Sequence, residues 1–139
     1  MALTHEPDPA RLIAQSERWA VVLNNDQSLL GRCYLLLLRP ETDVTALSDA
    51  ELSELWGVTR KIKEVLGSLW EPEHFNYAFL MNVDPQVHFH VIPRYKLRHE
   101  FAGGTFLDGA FGDHYRVGVA RNLDDDGYAA VISAMRARF

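Results

Sequence analysis

At 139 residues, of which 47% are hydrophobic, 11% aromatic and 24% charged, the chain has the size and composition of one folded domain, which excludes a pair of full domains and a disordered chain. Fourteen Lys and Arg against 19 Asp and Glu leave a net charge of −5, a field that repels nucleic-acid polymers and anionic membrane surfaces. The single cysteine, Cys33, excludes an internal disulfide framework and a multi-cysteine zinc module. No apolar run reaches the roughly 18 residues of a membrane span, and the acidic and proline residues near the start are unlike a signal peptide, so a cytoplasmic location is expected.

Asp8 before Pro9 reads as an N-cap with proline at the first helical position and predicts a short helix over residues 9–17. Residues 19–23 and 32–38 are β-branched, aromatic or aliphatic runs around the turn-forming Asn24-Asn25-Asp26-Gln27-Ser28, which predicts two adjacent antiparallel strands, the second ended by Pro40. Ser48 and Glu51 make a capping box, and Leu52, Leu55, Trp56, Thr59, Ile62, Leu66 and Leu69 recur at helical spacing, so a long helix follows with Leu55 and Trp56 in the core. Residues 75–81 and 86–92 read as a hairpin closed by a tight connection at residues 82–85, with Pro93 stopping the second strand. Residues 96–121 show no sustained period and read as a long irregular loop with a short strand at 115–119. Asp124, Asp125 and Asp126 open a C-terminal helix that ends near Arg136 and Arg138, a charge order that suits the helix dipole.

The chemistry concentrates in Gln86-Val87-His88-Phe89-His90-Val91-Ile92. Strand alternation sends Val87, Phe89 and Val91 to an apolar face and Gln86, His88 and His90 to the other. Two imidazoles about 7 Å apart on a rigid strand can address one bound phosphate or one metal ion. Further metal ligands would come from His74, His99, His114, Asp84 or Asp108, and no spacing singles one out. Cys33 lies in an apolar strand, where a thiol is inert, and Arg94 shares the parity of the two histidines beyond Pro93.

This segment resembles the signature of the histidine triad family, His-φ-His-φ-His-φ-φ with φ apolar, at every place except the first, where Gln86 stands for histidine; the match runs on into Pro93-Arg94. Upstream, Asn24, then Gly31-Arg32, the apolar strand, Arg39-Pro40 and the helix onset through Leu47 to Trp56 are similar to the fragile-histidine-triad branch, so that the likeness covers residues 19–94 and fades beyond Tyr95. The resemblance implies an α+β fold with a five-stranded antiparallel sheet, one long central helix and shorter N- and C-terminal helices in one domain over residues 1–139, paired as a homodimer. It also implies a nucleotide substrate, no cofactor, and hydrolysis or nucleotidyl transfer at the α-phosphate of nucleoside phosphoramidates or dinucleoside polyphosphates. Carried onto this chain, His88 matches the nucleophile, His90 the orienting and phosphate-contacting third histidine, and Asn24 the residue at the ribose hydroxyls.

Imidazole has an ordinary pKa near 6.5, so a neutral His88 can attack phosphorus without a metal and form a nucleotidyl-histidine that water resolves. Gln86 keeps the hydrogen-bonding capacity of a histidine and loses its proton chemistry. Arg32 stands in place of the family's upstream histidine, either as a phosphate-holding cation or as a strand charge. Asn82 is either a phosphate contact or a turn residue, and the connection around it is several residues shorter than the phosphate-contacting loop of the fragile-histidine-triad branch. Two other readings remain: a nucleotide-binding regulatory protein with little turnover, and a metal-dependent hydrolase using His88 and His90.

Overall fold

A computed structural model describes residues 6–115 and 120–139. Strands β1 (Leu12–Gln15), β2 (Trp19–Leu23), β3 (Cys33–Leu37), β4 (His74–Ala78) and β5 (His88–Arg94) form one antiparallel sheet in the order β1-β2-β3-β5-β4. Helix α1 (Asp49–Trp70) crosses between β3 and β4, strands β6 (His99–Phe101) and β7 (Gly104–Phe106) pair as a separate hairpin, and α2 (Asp125–Arg136) follows. The architecture is α+β, with one long and one C-terminal helix.

One sheet face is the core. Trp19, Val21, Leu23, Cys33, Leu35, Leu37, Phe89 and Val91 join Leu55, Ile62 and Leu66 of α1 and Val131 and Met135 of α2 in a single buried cluster. Period-two strands and a period-3.6 helix bury their apolar sides together, and burial of each large side chain is worth about 1.5–3 kcal/mol. The capping box starts α1: the Glu51 amide donates to Ser48 Oγ (3.1 Å) and the Ser48 amide to Glu51 Oε1 (2.8 Å).

The turn between β2 and β3 is built around fully buried Gln27. Its Nε2 donates to the carbonyls of Asn24 (2.8 Å) and Arg32 (2.9 Å), and its Oε1 accepts the Gly31 amide (2.9 Å). Gly31 has φ +89°, and a Cβ there would lie 2.5 Å from Leu66, so backbone conformation and helix packing both require glycine.

Several sequence expectations are corrected. The helix over residues 9–17 is absent: Asp8 does cap a turn, accepting the Ala10 amide (2.9 Å), but the chain then extends as β1. Trp56 is 45% exposed, with its ring edge on Phe89 at 5.7 Å. Pro93 does not stop β5; it pairs with Phe75, beyond the last β3 partner of β5 at Val91, so its missing N–H interrupts no bond to β3. The β4–β5 connection spans residues 79–87, longer than the tight turn expected. Residues 96–121 contain the β6–β7 hairpin, and most of the strand expected at 115–119 lies outside the described residues.

Candidate active site

The second sheet face carries the polar chemistry. Register places Tyr34 opposite His90 and Leu36 opposite His88 on β3, and Ala78 opposite His90 on β4. Across β2, Val22 faces Tyr34, and the Asn24 amide continues that ladder to the Arg32 carbonyl (3.0 Å). Asn24, Arg32, Tyr34, His88 and His90 therefore share one face, opposite the buried cluster.

His88 and His90 stand with ring centroids 4.9 Å apart and planes at 72°. Tyr34 packs on both, its ring 5.8 Å from His88 and 6.1 Å from His90. His88 Nδ1 lies 2.7 Å from the Gln86 carbonyl oxygen. A carbonyl can only accept, so Nδ1 carries the proton and the lone pair of the neutral ring lies on Nε2. His90 is more enclosed: burial first, then neighbouring His88 and Arg32, push it down to about 4, and its Nδ1 is buried without a hydrogen-bond partner. His90 is accordingly neutral at pH 7. Burial first, then Asp84 and Asp8, push the Tyr34 phenol up to about 12, so it keeps its proton.

Arg32 is nearly buried, with one N–H 3.4 Å from Asp26 and its guanidinium 5.5 Å above the Tyr115 ring, while Nε is buried and unpartnered. Its charge is felt at His90, which fits the reading of Arg32 as a site cation. The Asn24 side-chain carbonyl accepts the Asp26 amide (2.9 Å) in an Asx turn, so the donors of the side chain are the N–H groups of its NH2. Asn82 is exposed in the 79–87 connection, and no contact among the described residues brings it to the histidines. Gln86 is 1% exposed; its amide faces the protein, donating from Nε2 to the carbonyls of Leu37 (3.1 Å) and Arg39 (2.6 Å).

The remaining candidates have structural roles. Arg94 is buried and uses Nε and both terminal nitrogens, on Asp108 (2.7 Å), Asn76 (2.8 Å) and the carbonyls of Ala110 (2.7 Å) and Asp113 (2.7 Å). Burial raises the Asp108 carboxyl, but Arg94 and the amides of Tyr95 and Ala110 outweigh it and hold the group below its ordinary value. Among the described residues no three His, Cys, Asp or Glu side chains gather as metal ligands. Burial pushes the Cys33 thiol up to about 12, so it is not a nucleophile. Sequence reasoning overlooked Tyr34 and the inward bonding of Gln86; the signal for Tyr34 is that Arg32 and Tyr34, two apart, are the only non-aliphatic large side chains in their strand run apart from Cys33.

No curated protein matches the chain in sequence. Solved structures do match its fold: a histidine triad protein from Bradyrhizobium japonicum (20% identity, TM-score 0.72, covering 91% of this chain and 88% of that one) and another from Sinorhizobium meliloti (19%, 0.71, 93% and 89%). A hypothetical histidine triad nucleotide-binding protein from Sulfolobus tokodaii is also similar (14%, 0.69, 92% and 82%). At these identities the likeness establishes the fold. The HIT domain pattern matches residues 6–97, well over half the chain, and the chain therefore belongs to the HIT domain family of nucleotide-binding hydrolases and transferases.

Proposed function

We propose that the protein is a nucleotide hydrolase or nucleotidyl transferase acting at the α-phosphate of dinucleoside polyphosphates or nucleoside phosphoramidates, with His88 as the nucleophile. The observation that carries this reading is the 2.7 Å contact from His88 Nδ1 to the Gln86 carbonyl, which leaves Nε2 as a fixed, unprotonated nucleophile on the polar sheet face. In the first step an Nε2–P bond forms as the bond from phosphorus to the leaving oxygen or nitrogen breaks and its electron pair departs with the leaving group. Water then attacks the nucleotidyl-histidine: an O–P bond forms as the N–P bond breaks, the electron pair returns to Nε2 so that the ring is again neutral, and the proton lost by the water passes to solvent, which also protonates the departed leaving group. Neutral His90 orients the phosphoryl group, Arg32 neutralises phosphate charge, and the Asn24 NH2 meets ribose hydroxyls.

The order Asn24, Gly31, Arg39-Pro40, capping box and His88-Phe89-His90 supports the fragile-histidine-triad branch, with Gln86 at the first triad place and Asn82 a surface turn residue. Homodimer formation through the outer edge of β4 belongs to the same reading: β4 ends the sheet, and Tyr77, Leu80 and Trp56 are each more than 40% exposed near it. The experiment is turnover of labelled diadenosine polyphosphate and adenosine phosphoramidate by wild type and His88→Ala, with AMP binding measured in parallel. Release of AMP by wild type and none by a His88→Ala variant that still binds AMP supports the enzyme. The non-enzymatic second reading is favoured by the absence of any ionisable group at residue 86, and tight AMP binding without turnover would establish it instead.

A further inference from the structure

Gln86 does not face substrate, and its bonding indicates what it does. Its side-chain N–H groups reach the carbonyls of Leu37 and Arg39, two residues apart where the chain leaves β3. Neither carbonyl can donate, so the amide has one orientation, nitrogen toward both oxygens. The backbone around it is gripped as well: the Gln86 amide donates to Asp84 Oδ1 (3.0 Å), the Val87 amide to the Glu41 carbonyl (2.9 Å), and the Leu37 amide to the Val87 carbonyl (3.1 Å). Residues 86 and 87 thus enter β5 clasped to residues 37–41 before pairing with β4 begins.

The clasp continues into the long helix. Arg39 binds Glu51 through Nε (2.6 Å) and a terminal nitrogen (2.9 Å), and Glu51 is the acidic member of the α1 capping box. One path of hydrogen bonds therefore runs from the start of α1 through Glu51, Arg39 and the Gln86 side chain to the Gln86 carbonyl, which holds His88 Nδ1. It is the N–H end of the Gln86 carboxamide that is engaged, while Oε1 is buried with no hydrogen-bond partner among the described residues.

We propose that Gln86 is a positioning residue: its carboxamide clamps the Leu37 and Arg39 carbonyls so that its own backbone carbonyl captures the His88 Nδ1 proton and keeps Nε2 of His88 unprotonated. This rests on the reading of His88 as nucleophile for its kinetic consequence, whereas its structural content, the tautomer, is measurable without any substrate. The clamp uses a carboxamide, a group that does not titrate, so the clamp itself does not change with pH. A histidine in its place would offer one N–H when neutral and could satisfy only one of the two carbonyls.

The test is 15N NMR of histidine-labelled protein at pH 8, with the His88 signals assigned by their loss in His88→Ala, in wild type, Gln86→Leu and Gln86→His. Wild type is expected to show pyrrole-like Nδ1 and pyridine-like Nε2 at His88; the opposite tautomer there overturns the proposal whatever the variants do. Gln86→Leu, checked for folding by its melting transition, is expected to show a mixture of tautomers, and Gln86→His a smaller admixture. The rate of nucleotidylation is expected to fall at least tenfold in Gln86→Leu, while AMP affinity changes less than threefold. A pure wild-type tautomer in both variants overturns the proposal, as does a parallel loss of AMP affinity and rate, which would place Gln86 in contact with substrate. If wild type shows the expected tautomer but never accepts a nucleotidyl group, the proposed function fails and the clamp stands.

Discussion

His90 is the site histidine whose chemistry folding changes. Its ordinary value is about 6.5, and burial with His88 and Arg32 beside it brings it to about 4. Between those values the unfolded chain takes up a proton that the folded site refuses, so stability is full above about pH 6.5 and falls as pH drops toward 4. Urea unfolding should show a loss of about 1–2 kcal/mol between pH 7.5 and 5, and His90→Gln should remove most of that loss. The same scale accounts for Arg94 and Asp108, each side chain 3% exposed and 2.7 Å apart. Removing one partner strands a buried charge, so Asp108→Ala should cost about 3–5 kcal/mol in denaturant unfolding. Asp108 could be drawn from the sequence only as one of five undifferentiated metal candidates, because its partner Arg94 is 14 residues away and no periodic pattern links the two.

At the scale of elements, the motif Arg39-Pro40 and the capping box at Ser48 are one structural unit. Arg39 first, and then the Ser48 amide, outweigh the opposing effect of burial and lower the Glu51 carboxyl to about 2. A depressed carboxyl contributes stability above its unfolded value of about 4.5, and that contribution is lost as pH falls from there through about 2. Glu51→Gln should therefore destabilise the protein by about 1–3 kcal/mol at pH 7 and by much less at pH 2.5, read from thermal unfolding at the two pH values. Helix α1 and the flanking strands were legible because their signals are local: a capping box, a 3.6 period, a period-two motif. The N-terminal helix misled because its signal was also local and genuine. Asp8 caps a turn, but a helix of nine residues carries a costly nucleus, and pairing of Leu12, Ala14 and Gln15 with β2 wins, with the register slipping so that Ile13 enters the core. The β6–β7 hairpin was missed because its turn places Ala102 (φ 50°) and Gly103 (φ 79°) in the left-handed region, where an Asn-Gly or Asp-Gly pair would have been the readable signal.

For the whole molecule, a two-faced sheet explains why half of the site was readable and half was not. Alternation within one strand placed His88 and His90 together on the polar face, whereas Tyr34 joins them only through the β3–β5 register, which spans more than fifty residues of chain. Gln86 shares the parity of the histidines yet turns inward, because β5 begins two residues after it and alternation does not extend to it. Among the described residues no strand pairs with the outer edge of β4, which lies beside Tyr77, Leu80 and Trp56. Sedimentation should show a dimer for wild type, and Tyr77→Glu with Leu80→Glu should yield folded monomer; a monomeric wild type at high micromolar concentration would dismiss pairing by this edge.

The proposed function depends most on the reacting atom. Wild-type protein mixed with excess labelled adenosine phosphoramidate or diadenosine polyphosphate, quenched within one turnover under conditions that preserve N–P bonds and mapped by peptide mass spectrometry, should carry one AMP on His88. AMP attached to His90 or to any other residue, or product formed in a single turnover with no protein-bound AMP, would contradict it.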